Sequence, residues 1–248
     1  MNRAWLALGL AIVFPGVMAW IYFEAVSPKS GAESPNRAFQ IIYAGTKVIQ
    51  FSFPLLFFRL INRSAWRRAT TVSLRERICG SPAGIWLGVG FGLLAAGIIL
   101  WLYHCELKNS AVFTGTPERL RSKVTEFGIY SAPGFIGLAA FLAILHSFLE
   151  EYYWRWFVHA FLRNWLPFLP AALISGLAFT GHHVFVLDVY FPDRFWSAVI
   201  PFSLGIAVGG IVWAWIYERS GSLLGPWLSH FLVDAAIMAV GYDILFES

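Results

Sequence analysis

Charge is scarce in this chain: of its 248 residues only 13% are Asp, Glu, Lys or Arg, against about 25% in a soluble domain. A water-facing surface cannot be made from that supply, and 58% of the residues are hydrophobic, with a mean hydropathy of +0.64. A soluble globular enzyme and a disordered chain are both excluded. The excess of 18 Lys and Arg over 14 Asp and Glu lifts the isoelectric point to about 9.2. So few charges leave no footprint for nucleic acid, and none is expected as a partner; the bilayer is. The cations are instead topology markers, because basic residues collect in cytoplasmic loops. Cysteine is also scarce, and Cys79 and Cys105 alone can form neither a disulfide framework nor a thiolate metal site. Three catalytic signatures are missing. There is no H-E-x-x-H zinc helix, no G-x-S-x-G nucleophile elbow and no phosphate-cradling G-x-x-x-x-G-K-[ST] loop. Internal repeats and low-complexity tracts are absent too.

What is present is a series of long apolar runs. A spanning helix needs roughly 20 mainly apolar residues, and seven runs qualify: 4–25, 38–60, 82–104, 133–160, 169–189, 196–217 and 222–243. The expected fold class is an all-α polytopic transmembrane bundle of about seven spans (six to eight), with a four-helix catalytic core. Residues 1–131 supply N-terminal helices and a basic loop, and residues 132–248 supply that core. The first run lacks a small-x-small cleavage site and reads as an anchor. Arg59, Arg63, Arg67, Arg68, Arg75 and Arg77 against Glu76 place the loop after the second run in the cytoplasm, with the N-terminus beside Arg3 on the same side. Lys108, Arg119, Arg121 and Lys123 in the segment at 105–131 then face outward, against the rule. SPKSGAESP at 27–35 reads as a short outer loop. Gly88-x3-Gly92 and Gly205-x3-Gly209 permit close helix approach. Trp5, Trp20, Trp101, Trp196 and Trp227, near span ends, suit interfacial belts.

Ionisable groups inside a span are costly, so each is a functional candidate. They are Lys47, His146, Glu150, Glu151, Arg155, His182, His183, His230 and Asp234, all but Lys47 in the C-terminal half. Glu151 and Arg155 stand four apart, in the favoured order for an intrahelical pair. Arg155 is permanently charged and would hold Glu151 ionised. Glu150 sits about 100° round the helix without a local partner. A desolvated carboxylate without a partner suits a general base near neutral pH. The plain alternative is a structural ion pair with Glu150 reaching water. Phe179 and His183 share one helical face, while His182 points elsewhere. His230 and Asp234 share a face of the last run, where a carboxylate one turn away can fix an imidazole tautomer or simply act as glue. Glu and His together mean water activation, metal ligation or proton transfer.

Glu150-Glu151-x3-Arg155, Phe179-x3-His183 and His230-x3-Asp234, in that order and each in a hydrophobic helix, resemble a known family. It is the type II CAAX prenyl protease family (Rce1-like, also called CPBP or Abi), of intramembrane glutamic endopeptidases. The resemblance covers roughly residues 133–243; residues 1–130 match it only in being hydrophobic. It implies that Glu150 activates a water with the help of His183, that Glu151 supports the site, and that His230 and Asp234 stabilise the oxyanion. Arg155 and Phe179 take supporting places. It also implies metal-free catalysis with no cofactor, zinc being the alternative, and a multi-pass protein of the bacterial inner membrane. The implied substrate is a membrane-associated protein or peptide, of CAAX type, with a C-terminal sorting tail, or a bacteriocin-type precursor. The chain departs from the family at two positions. Eukaryotic members carry Asn where Asp234 stands, and the family usually follows Arg with Gly, where Trp156 follows Arg155 here. Two other classes of function compete. A non-proteolytic scaffold or immunity protein of the same family would be expected to lose one of the five site positions, and all are occupied. A proton-coupled transporter would show interrupted helices in both halves, whereas the polar groups lie in one.

Overall fold

The computed structural model describes residues 2–26, 37–60 and 81–247. The basic stretch from Arg63 to Arg77, Cys79 and the 27–35 loop lie outside the described residues. Among the described residues there is no strand. Eight helices follow in order: α1 (Asn2–Trp20), α2 (Arg37–Leu60), α3 (Pro82–Leu107), α4 (Thr116–Glu126), α5 (Ala132–Leu162), α6 (Phe168–Tyr190), α7 (Phe195–Ser220) and α8 (Leu224–Glu247). Six of them, α1, α3 and α5–α8, are long and apolar enough to cross a membrane; the run expected at 38–60 is helical as α2. The protein is a polytopic helical bundle.

The helices from α3 on that cross the membrane each run past their expected ends, by a few residues at most. α3 and α8 each close in a wide π-helical turn, Tyr103–Leu107 and Asp243–Glu247. Tyr103 Oη and Lys108 Nζ both donate to Asp243 Oδ2 at 2.6 Å, which joins those two turns. The short α4 lies across the C-terminal ends of α6 and α8. Arg119 Nε donates to Tyr190 O at 3.0 Å and Arg121 to Leu245 O at 3.2 Å. Helix ends leave carbonyls without intrahelical partners and carry partial negative charge, so cations belong there. Lys123 pairs with Glu126 at 2.9 Å. The four basic residues that sit awkwardly with the positive-inside rule are thus all engaged within the protein.

Lipid tails give no hydrophobic drive for helices to associate, so close packing and hydrogen bonds must do it. A Cβ on Gly88 would collide with the backbone of Gly225, and one on Gly92 would fall 2.8 Å from Ser229 Cα. That stripe seats α8 against α3. The expected stripe on α7 is corrected: Gly205 has open space around it and Gly209 meets only Trp213 of its own helix. The close approach is made by Gly210, whose Cβ would lie 3.2 Å from Gly176 Cα on α6. An aromatic core of Phe57, Trp154, Phe157, Phe161, Phe179 and Trp213 fills the space between α2, α5, α6 and α7. Tyr153 Oη donates to Ala11 O at 2.7 Å, fixing α1 to α5.

Trp5, Trp20, Trp101 and Trp196 are exposed at the surface, as belt residues would be. Trp227 differs, because its indole N–H turns to Ile144 O on α5 at 2.9 Å.

Candidate functional site

The site is built on α5, which is not a regular α-helix. It alternates α-helical and π-helical stretches, with wide turns at Phe141–His146 and Tyr152–His159 on either side of the short α-helical piece Ser147–Glu151. A π-helical turn carries an extra residue and shifts the carbonyl ladder, and such turns recur at functional sites. The carbonyls loosened here have side-chain donors, one from α5 itself and two from other helices. Ser147 Oγ donates to Ala143 O, Trp227 of α8 to Ile144 O, and Ser175 of α6 to Trp154 O at 3.2 Å. The two wide turns are therefore pinned by the helices that carry the motif histidines. Between them Glu150 and Glu151 are held at 1% and 0% exposure.

Glu151 is engaged on both oxygens, by an ion-pair contact on one and a hydrogen bond on the other. Oε2 lies 3.0 Å from Arg155 Nε, and Oε1 accepts from His230 Nδ1 at 2.9 Å. Arg155 is fully buried, with its guanidinium over the rings of both Phe179 and Trp213, 5.0 and 5.3 Å from their centroids, while those rings meet each other edge to face at 5.9 Å. A planar, weakly hydrated cation tolerates two aromatic faces where an ammonium would not. Phe179 thus has a visible part: it is one wall of the corner that holds the arginine. Trp213, the other wall, also stacks on His230 at 4.2 Å and donates to Ser229 Oγ at 2.9 Å.

Glu150 is different. His182 Nε2 lies 3.3 Å from its Oε1 and His146 Nε2 3.8 Å, while His230 Nε2 lies 3.8 Å from Oε2. Neither imidazole makes a well-aligned hydrogen bond to Oε1, His182 being off-line at 3.3 Å and His146 too distant at 3.8 Å. A buried carboxylate oxygen surrounded by imidazoles but well aligned with none is placed to take a proton.

The two adjacent histidines are brought to the site together. His183 Nδ1 lies 3.0 Å from Phe179 O, one turn back. A carbonyl only accepts, so Nδ1 carries the proton and Nε2 is left as an acceptor. The imidazole of His182 packs 3.9 Å from that of His183, between it and Trp154. Glu150, His182 and His183 each bring one ligand-capable atom within 4.8 Å of the others, so those three could hold a metal ion.

His230 and Asp234 are together as well, with Nε2 3.5 Å from Oδ1. The expectation that Asp234 fixes the His230 tautomer is corrected, because the group bonded to Nδ1 is Glu151, from a different helix. Sequence reasoning also left out His159. It is fully buried on α5, 3.1 Å from Glu218 of α7, which Arg163 also reaches. Its place four residues after Arg155 in an apolar run was the available signal.

Compared with known proteins, residues 132–236 match the family described as type II CAAX prenyl endopeptidase, Rce1-like. No curated protein and no solved structure matches the chain.

Proposed function

We propose, from the premise that the chain belongs through residues 132–236 to the Rce1-like type II CAAX prenyl endopeptidase family, that it is a glutamate-dependent intramembrane endopeptidase. The family is a protease family, and the protein is a multi-pass membrane protein. The observation that carries the finer reading is the division of labour between adjacent carboxylates. Glu151 faces a permanent cation, Arg155 at 3.0 Å, and accepts a hydrogen bond from His230, whereas Glu150 has imidazoles at 3.3 to 3.8 Å around it. Glu150 takes a proton from water as the water oxygen attacks the scissile carbonyl. It then delivers that proton to the leaving nitrogen as the C–N bond breaks. His183 Nε2 accepts the second hydrogen of the same water and aims it. His182 holds Glu150 from the far side. His230 and Asp234 face the oxygen that becomes the oxyanion, where preorganised donors lower the barrier most.

The reading is metal-independent. Glu151 is engaged by a cation and an imidazole, which removes one of the two carboxylates from coordination, and Glu150 is assigned to the proton rather than to an ion. Substrates are membrane-associated proteins or peptides, of CAAX type or with another C-terminal or precursor tail. The N-terminus lies in the cytoplasm of a bacterial cell whose inner membrane holds the protein. Mass spectrometry of membrane peptides from cells with the wild-type chain against Glu150→Ala tests the reading. Peptides present only with the wild type are expected; identical peptide sets would overturn it.

A further inference from the structure

We infer that Lys47 and Gln50 of α2 form an anion subsite that takes the free C-terminal carboxylate of the substrate, about three residues beyond the bond that is cut. The inference rests on the reading of Glu150 as the base and adds which end of a substrate the site selects. Lys47 stands alone among the ionisable residues of the apolar runs in lying in the N-terminal half, and the proposed chemistry leaves it unused. An ammonium in the middle of a hydrophobic helix is costly, and that cost marks a functional partner.

α2 packs on the helix of the base and runs alongside it in the same direction. Phe51 meets His146 and Tyr153, on either side of Glu150, and Phe57 meets Phe157 and Phe161. Lys47, Gln50 and Phe51 stand at i, i+3 and i+4, so they share the face of α2 that is turned to α5. The Lys47 ammonium lies 5.9 Å over the Phe51 ring, and its charge acts on Glu150, His146 and His182. It belongs to the polar enclosure around the base. Gln50 adds donors there. It is 2% exposed, and its Nε2 has no hydrogen-bond partner among the described residues. A buried amide N–H₂ without an acceptor calls for one that arrives with a ligand. An ammonium beside such an amide offers donors and one positive charge, the complement of a carboxylate.

Spacing picks the anion. Lys47 is four residues back from Phe51, about 6 Å along the helix axis, and packed helix axes stand about 8–10 Å apart. An extended peptide covers about 3.3–3.6 Å per residue, so about three residues lead from the scissile bond to the ammonium. A phospholipid headgroup is held at the interface, whereas a chain terminus travels with the peptide into the site. Every unmodified chain ends in a carboxylate, and one carried to this depth needs a cation to meet it.

The test uses the full chain in detergent micelles and two farnesylated peptides ending in Cys-aliphatic-aliphatic-X, one a free acid and one a C-terminal amide. Mass spectrometry counts the released tripeptide. The wild type is expected to cleave the acid with kcat/KM about 10-fold or more above the amide, mainly through KM, the size of a charge-assisted hydrogen bond. Lys47→Gln should bring the two peptides to equal kcat/KM, Lys47→Arg should keep most of the preference, and Gln50→Leu should lose part of it. A loss acting only through Glu150 slows both peptides alike and leaves their ratio as it was, so an unchanged ratio in Lys47→Gln overturns the inference. A wild type that does not distinguish acid from amide overturns it without any variant. Binding needs no cleavage. In Glu150→Gln, fluorescence anisotropy of the peptides labelled at the N-terminus should show the acid bound about 10-fold tighter than the amide, and equal binding also overturns the inference. If Glu150→Gln is inactive while Lys47→Gln keeps the preference, only this inference fails. If Glu150→Gln cleaves normally while Lys47→Gln loses the preference, the reading of the base fails and the subsite stands.

Discussion

Glu151 Oε1 accepts a hydrogen bond from His230 Nδ1 at 2.9 Å, across two helices and 79 positions of sequence. With Arg155 on its other oxygen, Glu151 joins α5 to α8. On the proposed reading this joint holds the helix of the base against the helix of the oxyanion pair, and leaves Glu150 for chemistry.

Removing Arg155 breaks that joint at its most buried point. Loss of one partner of a buried pair costs about 3–5 kcal/mol, because the other charge stays behind uncompensated. Arg155→Ala is expected to lower folded yield and melting temperature in detergent along with activity. Arg155→Lys should fall between, since an ammonium keeps the charge but lacks the planar guanidinium that lies over both Phe179 and Trp213. Thermal melts followed by size exclusion check this; a normal melt for Arg155→Ala would show that the pair contributes nothing.

Asp234 stands 3.5 Å from His230 Nε2, and Glu151 already holds Nδ1. On the proposed reading Asp234 donates a hydrogen bond to the oxyanion as the protonated acid, a role that an amide can fill. Asp234→Asn should retain activity within about 10-fold, and Asp234→Leu should lose about 10² to 10³, the size of a lost oxyanion donor. Steady-state kinetics of both variants decide it. A folded but inactive Asp234→Asn would contradict the assignment, as would an active Asp234→Leu.

Chelation separates the base from a metal ligand. Full activity in EDTA and phenanthroline is expected, with no stoichiometric metal by elemental analysis. Activity lost to the chelators and restored by zinc would turn Glu150, His182 and His183 into a metal site, which their spacing permits.

The helices were legible in the sequence because a spanning run is long and uniformly apolar, and the expensive residues inside the runs marked the site. Which group meets which was less legible. An intrahelical pair such as Glu151–Arg155 follows from spacing alone. The Glu151–His230 bond does not, because it depends on the rotational phase of α5 against α8, and the wide turns at Phe141–His146 and Tyr152–His159 alter that phase. The same turns require outside donors, so Trp227 serves α5 instead of only the membrane interface. Gly205 and Gly210 make the point for packing. A small-residue spacing shows that close approach is possible, and the neighbouring helix decides which glycine makes it.

The proposal that Glu150 is the base is tested most directly by cleavage of a farnesylated peptide ending in Cys-aliphatic-aliphatic-X by purified, folded Glu150→Gln. Gln keeps the shape of the side chain but cannot take a proton from water, so the rate should drop by about 10² to 10⁴ with melting unchanged. Cleavage by Glu150→Gln at the wild-type rate would contradict the account.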